Sequence, residues 1–186
     1  MIKASQLKRG MAIMVNGEIH TVLSLEHRTP GNLRAFIQMS YKNLNNGKIY
    51  NSRQRPTDEF ELVELTTKPT QFLYKESDLY YFMKLDDYET IHLSEEDIGD
   101  DKKYLKDSME VNILFHGEKP IQLEMPTSVV MKIVSTVPGV KGDTVNNVQK
   151  PATLETGFEI SVPIFIKEGD LIKIDTRTGS YISKAN

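Results

Sequence analysis

The residues best placed to do chemistry in this sequence surround a Pro-Gly pair in the stretch HRTPGNLRAFIQ, residues 27–38. Such a pair is typical of a tight turn, because proline fixes φ at about −65° and glycine accepts a positive φ. Arg28 and Arg34 place positive charge on both limbs. We therefore expect a stiff, basic hairpin tip that donates hydrogen bonds to phosphate or sugar oxygens. The predicted tip residues are Pro30, Gly31, Asn32, Leu33 and Arg34.

No other group of residues has the spacing of a known catalytic or metal site. The four histidines lack the arrangement of a zinc site or a catalytic triad, so we expect half-exposed surface residues of strands. The acidic run SEEDIGDD lacks the alternating ligands of a calcium loop, which favours a solvated acidic face. PGVKGDT does not follow the order of a phosphate-binding loop. Neither an enzyme nor a bound metal, cofactor or small-molecule substrate is expected. The histidines are His20, His27, His92 and His116.

Composition limits the compartment and the chemistry further. The 186 residues include no cysteine, which excludes disulfides and thiolate metal sites. The N-terminal residues MIKASQLKRG lack the apolar core of a signal peptide, and no run approaches the roughly 20 apolar residues that span a bilayer. We expect a soluble cytoplasmic protein without membrane contact.

Charge is distributed unevenly along the chain, although the net charge is only −3. Residues 1–63 hold nine Lys and Arg against five Asp and Glu, whereas residues 64–127 hold seven against fifteen. Residues 128–186 are close to neutral, with seven against six. Since the middle segment would repel phosphate, a polyanion should be bound by the two ends, above all by the first segment. The basic residues expected to support the tip are Arg28, Lys42, Arg53 and Arg55.

Hydrophobic periodicity indicates β-strands almost throughout. Asn16-Gly17 between two alternating runs is a strong hairpin signal. A strand is expected to resume directly after the tip, from Arg34 to Leu44, which would place Arg34 on the side of Asn32. In the middle segment a second hairpin spans residues 75–78. Its aromatic residues are expected to pack in a core; they are Tyr74, Tyr80, Tyr81 and Phe82.

One short helix and two boundaries complete the predicted organisation. Ser94 with Asp97 resembles a capping box at the start of a helix of one or two turns. Short Pro-marked segments at residues 66–69 and 125–128 coincide with the changes in charge balance. They predict an all-β protein of three small domains, each a barrel or a sandwich. The predicted domains are residues 1–65, 66–127 and 128–186.

The last third of the chain carries the residues of a known family. Its order of Lys, Ala, Gly, an aliphatic residue, Val-Pro, an aliphatic residue and Gly is the signature of bacterial elongation factor P. The N-terminal segments LKRGMAIMVNGEIHTVL and KNLNNGK match the same family in order, and the acidic middle matches in length and strand pattern. The chain thus resembles elongation factor P over its full length. The signature residues are Lys150, Ala152, Gly157, Ile160, Val162, Pro163, Ile166 and Gly169.

The resemblance implies an architecture and a set of partners. The fold would be an N-terminal KOW/SH3-like barrel followed by two OB-fold barrels, in an L-shaped arrangement similar to tRNA. Such a protein, expected to be a monomer, would bind both ribosomal subunits next to P-site peptidyl-tRNA. It would relieve stalling at consecutive prolines by positioning the CCA end, without covalent chemistry. Residues implied to lie in a loop of the C-terminal domain, near the mRNA and the small subunit, are Gly142, Asp143, Thr144, Tyr181 and Lys184.

One position departs from the family pattern. Many similar proteins carry a modified Lys directly after Pro-Gly, and others a modified Arg, whereas this chain has Asn32. Asparagine accepts neither modification and reaches less far, so the modification does not carry over. Two alternative functions stay open from the residues alone. One is a free-standing OB-fold protein that binds single-stranded nucleic acid, and the other is a protein-binding adaptor that uses the acidic segment.

Overall fold

A computed structural model describes residues 1–31, 34–138 and 149–185. The described chain consists mainly of strands in three separate sheets, which confirms the prediction of an all-β protein. No helix among the described residues is both long and apolar enough to span a bilayer.

The first sheet contains six strands in the order β1-β6-β2-β3-β4-β5. Asn16 and Gly17 both have positive φ, 53° and 81°, and join β2 to β3 as the sequence predicts. The long strand β3 pairs antiparallel with β4, and Arg28 opposite Phe36 is the pair nearest the tip. The strands are β1 (Ile2–Lys3), β2 (Ala12–Val15), β3 (Glu18–Arg28), β4 (Phe36–Asn43), β5 (Ile49–Gln54) and β6 (Glu59–Val63), with a 3-10 turn at Ala4–Gln6.

The second sheet contains five strands in the order β11-β10-β7-β8-β9. Residues 66–69, a candidate boundary in the sequence, are the first residues of β7 rather than a loop. The predicted short helix is confirmed as α1 (Glu95–Ile98), where Ser94 and Asp97 form a capping box. The strands are β7 (Thr66–Glu76), β8 (Leu79–Lys84), β9 (Thr90–Ser94), β10 (Glu110–His116) and β11 (Lys119–Glu124), with a 3-10 segment at Gly99–Tyr104.

The third sheet contains five strands in the order β14-β13-β12-β15-β16. Its core includes the signature residue Val162 together with Met131, Leu154 and Ile172, all of them fully buried. The apolar pattern of residues 158–166 predicts one strand, but β14 ends earlier, at Pro163, and the sequence pattern does not predict β13 or β16. The strands are β12 (Ser128–Thr136), β13 (Gln149–Leu154), β14 (Glu159–Pro163), β15 (Leu171–Asp175) and β16 (Ser180–Ala185).

The chain divides into two compact units. One consists of Met1–Lys68 with Ile113–Gln122, and the other of Pro69–Asn112 with Leu123–Asn186. In the first unit, one core cluster is formed by Leu7, Ile13, Val22 and Met39, and a second by Ala12, Ile19, Val63 and Ile121.

Candidate functional site

The limbs of the tip leave the sheet earlier than the sequence suggests. β3 ends at Arg28 and β4 begins at Phe36, so Arg34 precedes the strand. The expectation of a strand from Arg34 is therefore wrong by two residues. The ladder closes at the Arg28–Phe36 pair, so the described residues 29–31 and 34–35 lie outside the two strands. Gly31 has a φ of +33°, and Pro30 and Arg34 are exposed, whereas Asn32 and Leu33 lie outside the described residues.

An arginine and an aromatic ring stack beside the last pair of the β3–β4 ladder. The guanidinium carbon of Arg53 lies 4.8 Å from the centroid of the Phe36 ring. Register explains the contact, since Arg53 is opposite Gln38, two residues along β4 from Phe36. A guanidinium stacks through its flat face, so its in-plane N–H groups stay available to a phosphate. The stack therefore fixes the position of a positive charge without neutralising it.

Arg28 and Arg55 lie next to this stack. The Arg28 side chain donates from Nη2 to Glu26 Oε2 over 2.8 Å, but both side chains are more than half exposed. Such a surface pair contributes little and can be exchanged for a phosphate. Arg55 follows directly after the Ile37–Gln54 pair, which brings it level with the end of β4. We call Arg28, Phe36, Arg53 and Arg55 the tip-base surface.

Lys42 does not belong to the tip-base surface. It pairs with Thr21 and Ile49 near the opposite end of β4. Six residues separate it from Phe36, which corresponds to about 20 Å along a strand. The structure therefore brings together three of the four predicted supporting residues and leaves Lys42 apart.

A buried polar network lies at the end of the first sheet that holds Lys42, and the sequence interpretation missed it. His20 is only 3% exposed, so the expectation of a half-exposed histidine is wrong for this residue. Its Nδ1 donates to the Glu18 carbonyl and its Nε2 accepts from the Asn43 amide, at 3.0 and 3.2 Å. The rings of Tyr41 and Tyr50 stack at 5.8 Å, and each meets His20 edge-on.

Asn43 is the centre of this network. Its Oδ1 accepts the backbone N–H groups of Asn45 and Asn46, at 2.7 and 3.1 Å, and thereby shapes the loop before β5. Its amide nitrogen also donates to Glu18 Oε2 over 2.7 Å. Strand alternation could have indicated the burial, because His20 lies two residues before the core residue Val22.

The predicted residues of the third sheet have structural partners. Tyr181 and Lys184 lie on β16 rather than in a loop. Tyr181 packs against the core and meets the ring of Phe165 edge-on at 6.4 Å. Lys184 binds Asp170 over 2.8 Å, and this hydrogen bond lowers the pKa of the Asp170 carboxyl. The other predicted residues, Gly142, Asp143 and Thr144, lie outside the described residues.

The aromatic residues of the second sheet divide between its two faces. Tyr80 and Phe82 are buried, as predicted, at 5% and 0% exposure. The expectation of core packing is wrong for Tyr74 and Tyr81, whose rings stack on the outer face. The ladder shifts register between Phe72 and Tyr74, and the extra residue turns Tyr74 away from the core.

The acidic run of the second sheet has structural roles. Glu95 accepts from Lys102 and from Lys75, at 2.5 and 2.8 Å, which lowers the pKa of its carboxyl to about 2. Asp97 caps the start of α1. Within residues 1–31, 34–138 and 149–185, no three His, Asp or Glu side chains are grouped so that they could hold a metal ion.

Comparison with known families covers nearly the whole chain. The elongation factor P KOW-like domain matches residues 3–60, the elongation factor P OB domain residues 65–123, and the elongation factor P C-terminal domain residues 129–184. Among curated proteins, elongation factor P of Acidobacterium capsulatum is 44% identical over 99% of both chains. Elongation factor P of Thermotoga petrophila is 46% identical over 100% of both.

Solved structures agree at the level of the fold. A eukaryotic translation initiation factor 5A from Methanococcus jannaschii aligns with a TM-score of 0.50 at 18% identity, covering 66% of this chain and 94% of its own. An eif-5a family protein from Naegleria fowleri gives 0.51 at 15%, covering 67% and 94%. The family is shown in two ways: all three segments match models of one family, and relatives above 40% identity match over nearly the whole length. It belongs to the elongation factor P family and is a translation elongation factor rather than an enzyme.

Proposed function

We propose that this chain binds the ribosome next to P-site peptidyl-tRNA and promotes peptide-bond formation at consecutive prolines. Membership of the elongation factor P family supports the partner. The tip-base surface carries the proposal within this chain, because it places three arginines around a loop with an exposed Pro-Gly pair. The planar guanidinium group of an arginine can donate two parallel hydrogen bonds to the oxygens of one phosphate.

The proposed mechanism is positioning of the acceptor end. Proline reacts poorly because its nitrogen belongs to a ring that restricts its orientation. Holding the CCA end of peptidyl-tRNA in a reactive geometry lowers the barrier without a catalytic group. Pro30, Gly31, Asn32, Leu33 and Arg34 would contact the CCA end. Arg28, Arg53 and Arg55 would bind neighbouring phosphates, and Lys42 a more distant one.

The remaining contacts follow from the family. The loop with Gly142, Asp143 and Thr144 would approach the mRNA. Tyr181 and Lys184 would lie near the small subunit, where Lys184 would exchange Asp170 for a phosphate. The factor would act as a monomer in the cytoplasm, with domain boundaries after residues 65 and 127. Asn32 would remain unmodified. Pro30 and Gly31 would restrict the backbone conformation of the tip, so that a long modified side chain would not be needed for contact with the CCA end.

Translation in vitro of a reporter with consecutive prolines tests this function. Addition of the protein should raise full-length product from this reporter and leave a proline-free reporter nearly unchanged. Arg34→Ala should abolish the rescue, and Pro30→Ala should weaken it by loosening the tip. Arg177→Ala removes another exposed arginine, between β15 and β16, and serves as the matched control. Equal stimulation of both reporters would contradict the proline-specific function.

The modification state has a separate test. The intact mass of the protein from its native host should equal the mass of the unmodified sequence. Asn32→Lys, prepared without a modifying enzyme, should give no gain in rescue. An adduct on any loop residue, or full rescue by the Arg34→Ala variant, would overturn the proposed role of the tip.

Co-sedimentation with ribosomes separates this function from free-standing binding of single strands. Single-strand binders combine exposed aromatic rings with free cations. Between residues 69 and 112, Lys75 and Lys102 are bound to Glu95, and Lys84 is bound to Asp87 and Glu89. A phosphate would therefore meet paired lysines there. Strong filter binding of short oligonucleotides without ribosome binding would favour the alternative.

A further inference from the structure

An exposed aromatic face lies on the second sheet. Tyr74, Tyr81 and His92 are aligned across β7, β8 and β9 by strand register. The two tyrosine rings stack at 4.8 Å with an interplanar angle of 21°, and His92 lies 5.8 Å from Tyr81. Tyr74 is 49% exposed and His92 is also exposed. We call these three residues the aromatic face.

The charge of residues 69–112 is negative, and the lysines of this segment are already bound to carboxylates. Each of the five lysines between residues 69 and 112 has a carboxylate within 3.4 Å: Lys75, Lys84, Lys102, Lys103 and Lys106. In contrast, several carboxylates of this segment form no salt bridge with any other residue that the structure describes. Three of them are Glu76, Asp78 and Glu96.

These three carboxylates lie at one end of the aromatic face. Glu76 is two residues from Tyr74 on β7 and therefore shares its side of the sheet. Asp78 is in the β7–β8 turn, and its carbonyl accepts from the backbone N–H of Glu95 at the start of α1. Glu96 follows in the first turn of α1. We call Glu76, Asp78 and Glu96 the acidic rim.

We propose that the aromatic face and the acidic rim form a docking site for an arginine-containing basic segment of a protein. Guanidinium groups stack on tyrosine rings and form forked hydrogen bonds with carboxylates, so both halves of the site favour arginine. Lysine offers a point charge without a flat face and should bind more weakly. Nucleic acid also stacks on aromatic rings, but its phosphates would be repelled by the acidic rim.

Charge complementarity decides between these two occupants. A nucleic-acid platform needs free cations beside the rings, and here every lysine of the segment is bound to a carboxylate. Stacked tyrosines across strands also stabilise a sheet by themselves. The experiment must therefore distinguish a purely structural pair from a binding surface.

Fluorescence anisotropy with the full-length protein provides the test. The probes are a labelled Gly-Ser peptide with several arginines, the same peptide with lysines, and a labelled oligouridylate. The arginine peptide should bind, with an affinity that falls as salt rises, and the lysine peptide should bind about threefold more weakly. Tyr74→Leu and Tyr81→Leu should each weaken the arginine peptide about threefold to fivefold. Glu76→Gln should weaken it about twofold.

Tyr88→Ala is the matched control, because Tyr88 is 70% exposed in the β8–β9 turn and stands outside the stack. It should leave peptide binding unchanged. Thermal unfolding of each variant separates binding from folding, and Tyr74→Leu is the safer variant because its side chain is half exposed. Unchanged peptide binding in both leucine variants would overturn the proposal. So would a lack of peptide binding at about 1 mM, or oligouridylate binding that depends on Tyr81.

Discussion

Among the residues that the structure describes, two clusters each contain two tyrosines and one histidine, one cluster in the first sheet and one in the second. In both, the tyrosine rings stack with an interplanar angle of 21° and a histidine lies 5.7 or 5.8 Å from one of them. Their environments are opposite. His20 is 3% exposed and bound on both ring nitrogens, whereas His92 is exposed.

Strand parity accounts for this difference. Tyr41 is two residues from the buried Met39 and so lies on the core side of β4, where it packs with that core. Tyr81 lies between the buried Tyr80 and Phe82 and therefore faces outward. The same residue types thus pack against the core in the first sheet and lie on the outer surface of the second sheet.

The largest effect is expected from removing the centre of the buried network. Asn43→Ala should lower the free energy of unfolding by about 3 kcal/mol, because it leaves two backbone N–H groups, Glu18 and His20 without their partner. Urea unfolding measures this loss. Asn51→Ala, on the exposed part of β5, is the control and should change stability by less than about 0.5 kcal/mol. A similar small loss for Asn43→Ala would show that the network does not hold the first sheet.

Removing each histidine compares the two clusters directly. His20→Ala should lower the free energy of unfolding by about 2 kcal/mol, since it deletes a buried ring and two hydrogen bonds. His92→Ala should cost less than about 0.5 kcal/mol, because that ring is exposed. Urea unfolding of both variants under one set of conditions is the measurement. Equal losses would remove the distinction between a structural cluster and a surface cluster.

Charge reversal tests the two regions as surfaces. Arg53→Glu with Arg55→Glu should weaken ribosome association about tenfold and flatten its salt dependence, because two phosphate contacts are lost. The matched control is Glu96→Lys, which reverses a charge in α1 without breaking a salt bridge to a described residue. Glu95 is unsuitable for this purpose, since it binds two lysines. Co-sedimentation over a salt series gives the result, and equal losses from both changes would contradict a basic-face contact.

Much of the fold could be predicted from the chain alone, because it depends on local signals. Asn16-Gly17, the Ser94–Asp97 capping box and the alternation of Val129 to Val134 each act over a few residues. Missed strands such as β1 and β6 pair with each other although they are distant in the sequence, and β6 has mixed polarity. Pairing with a neighbour, rather than local pattern, decides that they are strands.

The candidate site was predictable in composition but less so in geometry. The arginines around the Pro-Gly pair are visible in the sequence, yet the stack of Arg53 on Phe36 depends on the register of β4 and β5. The outward position of Tyr74 depends on an irregularity in the β7–β8 ladder, and no residue type in that segment indicates this irregularity. Register and bulges are set by the whole sheet, so sequence patterns could not supply them.

The smallest expected effect concerns stability in acid. It compares the hydrogen bonds that stabilise the cluster in the first sheet with the ion pairs next to the second sheet. The first sheet's cluster relies on hydrogen bonds of the neutral Asn43 amide, whereas the second sheet has Glu95 between Lys102 and Lys75. These lysines lower the pKa of the Glu95 carboxyl from 4.5 to about 2. Because the folded-state pKa is the lower one, the contribution of Glu95 is fully present above about pH 4.5 and is lost as the pH falls towards 2.

Thermal unfolding of the unchanged protein and of Glu95→Gln over a pH series measures this contribution. The unchanged protein should melt a few degrees higher near neutral pH, and the difference should shrink steadily below about pH 4.5 as the carboxylate takes up a proton. Glu96→Gln is the control, because the neighbouring Glu96 has no such pair among the described residues, and its difference should stay small at every pH. A pH-independent difference for Glu95→Gln would mean that shape or hydrogen bonding, rather than charge, makes Glu95 stabilising. In that case both regions would be held by the same kind of interaction, and the contrast between them would lie in burial alone.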